Sequence, residues 1–380
     1  MKRFEVPILR LPYTPEEIEI IKNGIADVLQ SGYLTMGEKV AQFERAFAEF
    51  VGVKYAVATN SGTSSLEIIL RAIGIEGSSV IVPSNTMMAS PASVIHAGGK
   101  VLFVDCQREN LQLDPQDMRR KIRADTKGVM LVHIGGIITP ALDEIKSICD
   151  EKGLFLLEDA AHAHGAAIDG RMAGALGIAG SFSFYPTKVM NTAEGGMITT
   201  DDENIYHKAF SLRDHGRTDY NPNIHTELGY NWRFSELHAL LGLQQMKKSD
   251  AILAERRRIA RMYDEKLEGV KGIRKLEIPA NIKASYYKYI VFIDDNFARD
   301  EVKREIKESY SVSLTGEVYS HPCHSQPVFK KYPGVVANDP SDTFPQTEYV
   351  AERHICLPLY LGLTEEEIDY VVESLKRVLK

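Results

Sequence analysis

The sequence predicts an α/β fold: a mostly parallel sheet with helices on both faces, followed by a smaller C-terminal α+β domain. From about residue 54 to residue 213, short apolar runs alternate with segments that have the apolar spacing of helices. Strand–helix alternation of this kind is typical of parallel sheets that are covered on both faces. After about residue 240 the pattern changes to long helical segments around a single apolar run, which indicates a second, smaller unit.

Seven apolar runs are the predicted strands of the large sheet. In chain order they are KYAVAT (54–59), SVIVP (79–83), KVLFVD (100–105), KGVMLVH (127–133), LFLLED (154–159), GSFSFY (180–185) and GGMITT (195–200). The segments between the first five, such as GTSSLEIILRAIGI, repeat apolar residues at helical spacing, so we expect helices there. Only a short polar loop separates the last two runs, and we expect both in the same sheet.

The chain after residue 240 is predicted to form the smaller unit. We expect one long helix, LLGLQQMKKSDAILAERRRIARMYDEKLEGV, then the strand KYIVFID, a second helix and the final helix TEEEIDYVVESLKRVLK. These elements predict a large domain over residues 1–245 and a small α+β domain over residues 246–380. The N-terminal segment is a candidate to pack on the small domain.

Composition limits the class of protein. Of the 380 residues, 44% are apolar and 26% are charged, which is ordinary for a globular protein. No run of about 18 uncharged apolar residues occurs, so we expect no membrane-spanning helix. The net charge of −7 argues against nucleic acid as a partner, because sequence-independent binding needs a broad basic face.

The N-terminus and the cysteines indicate a cytoplasmic protein. The first twenty residues contain acids and a proline too early for a secretory signal. Cys106, Cys149, Cys323 and Cys356 are scattered without a CxxC pair. We interpret them as reduced, structural thiols and expect no metal site.

A lysine and a carboxylate are the first candidate functional pair. Lys188 lies between the last two predicted strands, while Glu158 and Asp159 end an otherwise apolar strand. Ligand sites in open parallel sheets lie at the carboxyl ends of the strands. An aldehyde cofactor needs this pair, because the lysine forms the imine and a carboxylate keeps the pyridine nitrogen protonated. The alternatives are a solvated surface lysine and an acid that caps or pairs structurally.

A second candidate is an anion seat in TNSGTSSLEIIL. Ser61, Gly62, Thr63 and Ser64 fall at a strand-to-helix turn, where exposed amides and the helix dipole attract an anion. Plain helix capping explains the same residues equally well. Ser183, five residues before Lys188, is a candidate for a further hydroxyl.

Several motifs in order resemble a known family over nearly the whole chain. They are SGYLTMGEKVAQFERAFAEFVGVKYAVATNSGTSSLEIIL, LEDAAHAHGA, GSFSFYPTKVMNTAEGGMITT, RDHGR, LGYNWRFSELHALLGLQQMKK and AERHICLPLYLGLTEEEI. This set strongly resembles the DegT/DnrJ/EryC1/StrS family of sugar aminotransferases, within the fold type I superfamily of pyridoxal-phosphate enzymes. The resemblance implies the fold type I architecture, with pyridoxal 5'-phosphate (PLP) as cofactor and its pyridoxamine form (PMP) as an intermediate.

The resemblance implies a role for each matching residue. Lys188 corresponds to the lysine that holds the cofactor as a Schiff base, and Asp159 to the partner of the pyridinium nitrogen. Gly62, Thr63 and Ser183 correspond to the seat of the cofactor phosphate.

The resemblance also implies a homodimer with a shared active site. Asn231, in GYNWRF, matches the asparagine that completes the phosphate seat of the other subunit. Such an interface is expected to be large and obligate. Arg233 and His215 lie in the same region, and either position substrate or brace the interface.

Three positions depart from the family pattern. His162 stands where glutamine is usual, near the phenolic oxygen of the cofactor; a histidine can donate the same hydrogen bond, although its charge would depend on pH. Met87 stands where an aromatic residue commonly stacks on the cofactor ring, which a thioether can still cover. His238 also replaces a frequent glutamine, and we interpret it as structural.

The implied reaction is a two-step transamination. Glutamate or glutamine gives its amino group to the cofactor, and the PMP form then aminates a nucleotide-linked keto sugar. The stretches SYYKYIVFI and TGEVYSHPCHSQPVFKKYP, rich in Tyr, His and Lys, are candidates for the substrate mouth. The alternative is that they are exposed loops of the small domain.

Two other functions share the fold. In PMP-dependent sugar dehydratases a histidine commonly replaces the lysine, so Lys188 argues against that reading. A non-catalytic PLP-binding regulator would be expected to have lost the Lys188–Asp159 pair or the phosphate seat, and both are intact here.

Overall fold

The computed structural model describes residues 3–11, 13–219, 223–314 and 316–380. The helices of these ranges are α1 (Pro15–Ser31), α2 (Glu38–Val51), α3 (Gly62–Ile73), α4 (Ala89–His96), α5 (Pro115–Lys121), α6 (Leu142–Lys152), α7 (Glu203–Leu212), α8 (Glu236–Lys247), α9 (Ser249–Lys266), α10 (Arg299–Tyr310), α11 (Pro327–Lys331), α12 (Pro345–Arg353) and α13 (Glu365–Val378). The strands are β1 (Tyr55–Thr59), β2 (Ser79–Pro83), β3 (Lys100–Val104), β4 (Thr126–Val132), β5 (Phe155–Asp159), β6 (Ala167–Ile168), β7 (Arg171–Met172), β8 (Ala179–Ser183), β9 (Gly196–Thr200), β10 (Arg217–Asp219), β11 (Ile224–His225), β12 (Ile273–Lys275), β13 (Ile282–Lys283), β14 (Tyr289–Ile293) and β15 (His354–Leu357).

The central sheet has seven strands in the order β1-β9-β8-β5-β4-β2-β3. All seven apolar runs predicted from the sequence form its strands, with ends that differ by at most two residues. The pairs among β3, β2, β4, β5 and β8 are parallel, whereas β9 runs antiparallel to both β8 and β1. The predicted mostly parallel sheet is therefore confirmed, and the short β8–β9 connection accounts for its one reversed strand.

Two apolar clusters cover the two faces of this sheet. Successive strand residues alternate between them: Val80 and Val82 belong to one cluster, and Ile81 to the other. One face packs against α2, where Phe43 and Phe47 are fully buried, and the other packs against α3, α4 and α7. Burying each such ring stabilises the fold by about 2–3 kcal/mol.

The C-terminal part has its own antiparallel sheet, in the order β12-β14-β15. The predicted strand KYIVFID supplies β14, which is buried along its length between its two neighbours. The N-terminal segment reaches this part of the protein, since Val6 bridges Val312 and its backbone N–H donates to Ser311 O at 3.1 Å. The proposed division after residue 245 falls within α8 and stays a prediction.

The long helix expected after residue 240 is two helices in the structure. Helix α8 ends at Lys247, and α9 starts at Ser249 after Lys248, whose φ and ψ of −116° and 13° are not helical. The break falls at Ser249 and Asp250, residue types that favour helix starts over helix interiors. Apolar spacing continued across the junction and concealed it.

Neither a membrane-spanning helix nor a metal site is found in the described ranges. In them, no helix is long and apolar enough to cross a membrane, and no group of three or more His, Cys, Asp or Glu side chains is arranged to hold a metal ion. All four cysteines are free and buried.

Candidate active site

A cavity of about 310 Å³ opens at the carboxyl edge of the central sheet. Its wall includes Asp159 at the end of β5, Lys188 after β8, and the start of α3. Tyr287 and Tyr319, from the C-terminal part of the chain, close the remaining side. This volume lies within the range of small-molecule sites, and the position is where open α/β sheets bind ligands.

Asp159 is held rigidly in the cavity wall. It is 6% exposed, and its Oδ2 accepts a hydrogen bond from Ser90 Oγ at 2.7 Å. Its Oδ1 accepts from the backbone N–H of Ala161 at 3.1 Å. These two donors fix the carboxylate at the edge of the sheet, so that it lines the cavity and is not drawn into an ion pair.

Lys188 follows β8 in a turn closed by its own N–H, which donates to Tyr185 O at 2.9 Å. The side chain is 8% exposed. Burial lowers the pKa of Lys188 to about 8, Asp159 opposes this by raising it, and Lys288 lowers it further. Lys188 and Asp159 line one cavity, yet no ion pair within 4.0 Å joins them in the described structure. The two groups are therefore free to contact different atoms of one bound molecule.

The start of α3 combines a helix cap with an anion seat. Ser61 is the N-cap: its Oγ accepts from Ser64 N at 3.1 Å and its carbonyl accepts from Ser65 N at 3.1 Å. Ser64 Oγ donates to Asn60 Oδ1, so it is also used locally. The amides of Gly62 and Thr63, the first two residues of the helix, remain for a ligand in the cavity that both residues line.

Glycine is required where α3 meets the sheet. A Cβ on Gly62 would lie 3.0 Å from Ser183 Cβ and 3.1 Å from Phe182 O. A Cβ on Gly196 would lie 2.2 Å from Ser61 O. The helix N-terminus therefore rests directly on β8 and β9, which brings the Ser183 side chain and the free amides to one wall. These donors suit a phosphate group, and together with the buried lysine and carboxylate they fit PLP.

His162 is a neutral ring with a defined tautomer. Its Nδ1 accepts from the backbone N–H of Gly135 at 3.3 Å, so the proton resides on Nε2, which lies 3.2 Å from Tyr319 Oη. The ring stacks on Tyr287 at a centroid distance of 4.1 Å. Burial lowers the pKa of His162 well below its usual value, and the ammonium groups of Lys188 and Lys288 lower it further. The ring therefore stays neutral, rather than changing charge with pH as the sequence suggested.

Adjacent Glu158 points to the other face of β5. Its Oε2 lies 2.8 Å from His133 Nε2, and its two oxygens accept from the backbone N–H groups of Gly174, Leu176 and Gly177. The pair of acids at the end of β5 thus divides into a cavity carboxylate and a structural one. The alternation of side chains along a strand is the cause.

The remaining candidates divide by position. Met87 lines the cavity at its mouth and is 51% exposed. Asn231 is exposed and does not line the cavity of its own chain. Arg233 Nη1 forms an ion pair with Asp214 Oδ1 at 2.8 Å, which favours the bracing role. His238 is partly buried, beside the Ser235 cap of α8.

The structure adds cavity residues that the sequence did not single out. Tyr287 and Tyr319 come from the two stretches proposed as the substrate mouth, but nothing in the pattern distinguished these tyrosines from their neighbours. Thr315, the first residue of the second stretch, lies outside the described residues. Ser90, which holds Asp159, had no sequence signal, because a helical serine is usually read as a surface or packing residue.

A buried lysine and a carboxylate in one cavity, at the carboxyl edge of a seven-stranded sheet with one reversed strand, define a transferase of fold type I. The chain belongs to the DegT/DnrJ/EryC1/StrS aminotransferase family, whose model matches residues 15–376. The resemblance inferred from the motifs is thereby confirmed, and with it the class of enzyme.

Curated relatives match over most of the chain. The spore coat polysaccharide biosynthesis protein SpsC of Bacillus subtilis is 34% identical over 97% of this chain and 97% of its own length. The GDP-perosamine synthase of Caulobacter vibrioides is 33% identical over 91% of each chain.

A solved structure matches over nearly the whole chain. The PLP-form of a putative sugar aminotransferase, Spr1654 from Streptococcus pneumoniae, superposes with a TM-score of 0.90 over 99% of both chains, at 27% identity. The same protein also has a PMP-form structure, with the same TM-score.

Proposed function

We propose that this protein is a PLP-dependent aminotransferase that moves an amino group from glutamate or glutamine to a nucleotide-linked keto sugar. The observation that carries the proposal is the placement of Lys188 and Asp159 in one cavity without an ion pair between them. The family supports the reaction class, and the name of the GDP-perosamine synthase relative supports a nucleotide sugar as acceptor. A dehydratase or a regulator gains no support from the family or the relatives.

Each cavity group has a distinct task. When bound, the cofactor supplies the aldehyde that takes up the amino group and the ring that accepts electrons. Asp159 would hold a proton on the ring nitrogen, and Lys188 would retain the cofactor until an amino donor replaces it. The amine freed at that point, with its pKa lowered to about 8, can take a proton from the substrate carbon and return it.

The amides of Gly62 and Thr63 and the Ser183 hydroxyl would hold the phosphate of the cofactor. His162 would offer its Nε2 proton to the phenolic oxygen, and Met87 would cover the ring at the cavity mouth. Since the four cysteines are free thiols, a reducing cytoplasm is the compartment that suits the protein.

A homodimer completes the site. Asn231 is exposed, and large apolar side chains near it are exposed as well, with Leu228 at 92% and Tyr230 at 47%. Leu29 on α1 and Tyr33 in the loop after it are further exposed apolar side chains, at 58% and 74%. Exposed apolar patches of this kind mark interaction surfaces. In the dimer, Asn231 reaches the phosphate seat of the partner subunit.

The test of the reaction is a screen of nucleotide-linked keto sugars with PLP and glutamate, read by product mass. We expect a product whose mass corresponds to the keto sugar with its keto oxygen replaced by an amino group. When glutamate is added alone, we expect the cofactor to lose its visible absorbance. Lys188→Ala should lower turnover by about 1000-fold or more, because it removes both the cofactor attachment and the general acid–base group. A visible spectrum that no amino donor changes would defeat the proposal.

The shared site is tested with mixed dimers. Asn231→Ala should weaken PLP retention by about tenfold, the scale of one charge-assisted hydrogen bond. When Lys188→Ala and Asn231→Ala chains are mixed, one of the two sites in each heterodimer receives neither lesion, and activity should reappear. Mixing that restores nothing would place Asn231 outside the partner's site.

A further inference from the structure

A second, partly buried lysine, Lys288, lies close to Lys188. Lys288 immediately precedes β14, and its backbone N–H donates to Gly135 O at 3.2 Å. The side chain packs against Gly316, where an added Cβ would lie 2.9 Å from Lys288 Nζ. Across the described ranges, no carboxylate oxygen lies within 4.0 Å of this ammonium. Even partial burial of a cation without such a partner has a cost in free energy, which makes a functional reason worth seeking.

Tyr287 connects the two lysines. Lys188 Nζ lies 4.8 Å from the centroid of the Tyr287 ring, and Lys288 Nζ lies 5.2 Å from the same centroid. Tyr287 is fixed through both its side chain and its backbone. The ring hydroxyl lies 3.1 Å from Thr187 Oγ1, and the backbone carbonyl accepts from Arg256 Nη2 at 3.0 Å. Both ammonium groups are therefore held around one immobilised aromatic ring.

The groups around the two lysines carry charges of both signs. The titratable and charged groups that face the two lysines are Asp159, His162, His164, Tyr185, Glu194, Tyr287, Tyr319, Arg10, Tyr13, Lys248, Arg256, Glu317 and Cys356. In the cavity that Lys288 borders, the further ones are Asp264, Glu268, Arg274, Lys275, Glu277, Tyr286 and Tyr289. Most of the charged ones are engaged elsewhere. Arg10 pairs with Glu367, Lys248 with Glu17, and Glu317 with Lys303.

A nearby cation changes what Lys188 can do. Like charge disfavours the protonated form of a lysine, and the neutral amine is the form that attacks an aldehyde. The lowered pKa of Lys188 arises first from burial; Asp159 acts against it, and Lys288 reinforces it. Lys288 therefore works in the direction opposite to the carboxylate that the same cavity requires.

We propose that Lys288 is a positioning residue that acts through space on Lys188 and favours the unprotonated form of its amine, the form that condenses with the cofactor aldehyde with loss of one water. The inference rests on the proposed function. Direct contact with substrate is the less favoured role, because Lys288 does not line the cavity of Lys188 and Asp159 but borders a separate one of about 620 Å³.

The test titrates Lys188 without relying on turnover. Protein stripped of PLP is labelled with trace acetic anhydride across the range from about pH 6 to about pH 10, which brackets a perturbed lysine. The labelled fraction of the Lys188 peptide is read by mass spectrometry. Lys288→Met should raise the midpoint by about one pH unit, the effect of removing a unit charge at roughly 10 Å. Lys288→Arg should leave it near the wild-type value.

Lys283→Met is the matched control, because Lys283 is an exposed lysine five residues earlier in the same segment. It should leave the midpoint unchanged. Circular dichroism checks the fold of each variant, and Lys288→Gln replaces Lys288→Met if the latter does not fold. We also expect slower capture of added PLP by Lys288→Met than by wild type at neutral pH.

The outcomes separate this inference from the function beneath it. An unchanged Lys188 midpoint in folded Lys288→Met overturns the inference while leaving the aminotransferase intact. An unchanged midpoint with a higher KM for the nucleotide sugar also overturns it and makes Lys288 an anion anchor. If wild-type Lys188 titrates like an ordinary surface lysine and captures no PLP, the proposed function itself fails.

Discussion

The two acids at the end of β5 differ more than their adjacency suggests. Asp159 faces the cavity and receives two hydrogen bonds, one from a side chain and one from a backbone amide. Glu158 faces the opposite side of the strand, is fully buried, and binds His133 and three backbone amides. The more deeply buried and more fully bonded acid is therefore the one that has no access to a ligand.

This difference shows that the face of a strand determines whether a side chain can reach a ligand. Burial and a dense hydrogen-bond network do not by themselves mark a reactive group, since structural networks have the same features. The face of the strand decides, because neighbouring side chains point to opposite sides. Substitutions at the two positions should consequently produce opposite signatures, one in catalysis and one in stability.

Of substitutions at these two acids, Asp159→Asn should have the larger effect on activity. The amide cannot hold a proton on the pyridine nitrogen by charge, so kcat should fall by about 100-fold or more, while the free energy of unfolding changes little. Steady-state rates and urea unfolding of the same preparation measure both quantities. Unchanged turnover would remove Asp159 from the chemistry.

Glu158→Gln should show the reverse signature. The new amide directs N–H donors at a site already surrounded by the amides of Gly174, Leu176 and Gly177, so buried donors lose their acceptor. We expect a loss of about 2–4 kcal/mol in the free energy of unfolding. The fraction that stays folded should keep near-normal kcat. A stable variant with impaired kcat would break the comparison instead.

His164 differs from both acids because its side chain has no hydrogen-bond partner in the described structure. Both of its ring nitrogens are buried without a hydrogen-bond partner in the described structure, and the ring packs on Phe47, Phe182 and Phe184. Burial lowers the pKa of His164 to about 3, and Lys188 and Arg256 lower it further. The unfolded chain therefore binds the extra proton first, at about pH 6.5, and stability falls as the pH drops below that value.

The corresponding prediction is the smallest. Between pH 7 and pH 5, His164 should cost roughly 2 kcal/mol of stability, because each pH unit below about 6.5 adds roughly 1.4 kcal/mol. His164→Leu should remove that part of the acid sensitivity and change stability at pH 7 little. Urea unfolding at the two pH values measures it. An equal loss in the variant and in wild type would assign the acid sensitivity to other groups.

The sequence predicted the strands of the large sheet and the site residues that follow them. Apolar runs located all seven strands, and the polar residues at their carboxyl ends located Asp159, the start of α3 and Lys188. However, the run LFLLED alone did not show which of its side chains point to which face of the sheet. A strand buried on both faces has no alternation of apolar and polar residues. The separation of Glu158 from Asp159 therefore needed the structure.

Contacts between distant segments were beyond the sequence. Tyr287 and Tyr319 reach the cavity from loops of the C-terminal part, and Lys288 meets Gly316 across a different connection. Such contacts depend on how the C-terminal part packs against the rest of the chain, and the apolar spacing of a sequence does not predict that packing. The break between α8 and α9 was missed for a related reason: a helix start inside a continuing apolar pattern leaves only weak local signals.

The cavity draws one wall from the region around Ser61 and another from Tyr319, so most of the polypeptide must exist before it can close. During synthesis Lys188 leaves the ribosome well before Tyr287, Lys288 and Tyr319. Until they arrive, the Lys188 amine lacks the part of its burial that these side chains supply, and burial is what lowers its pKa.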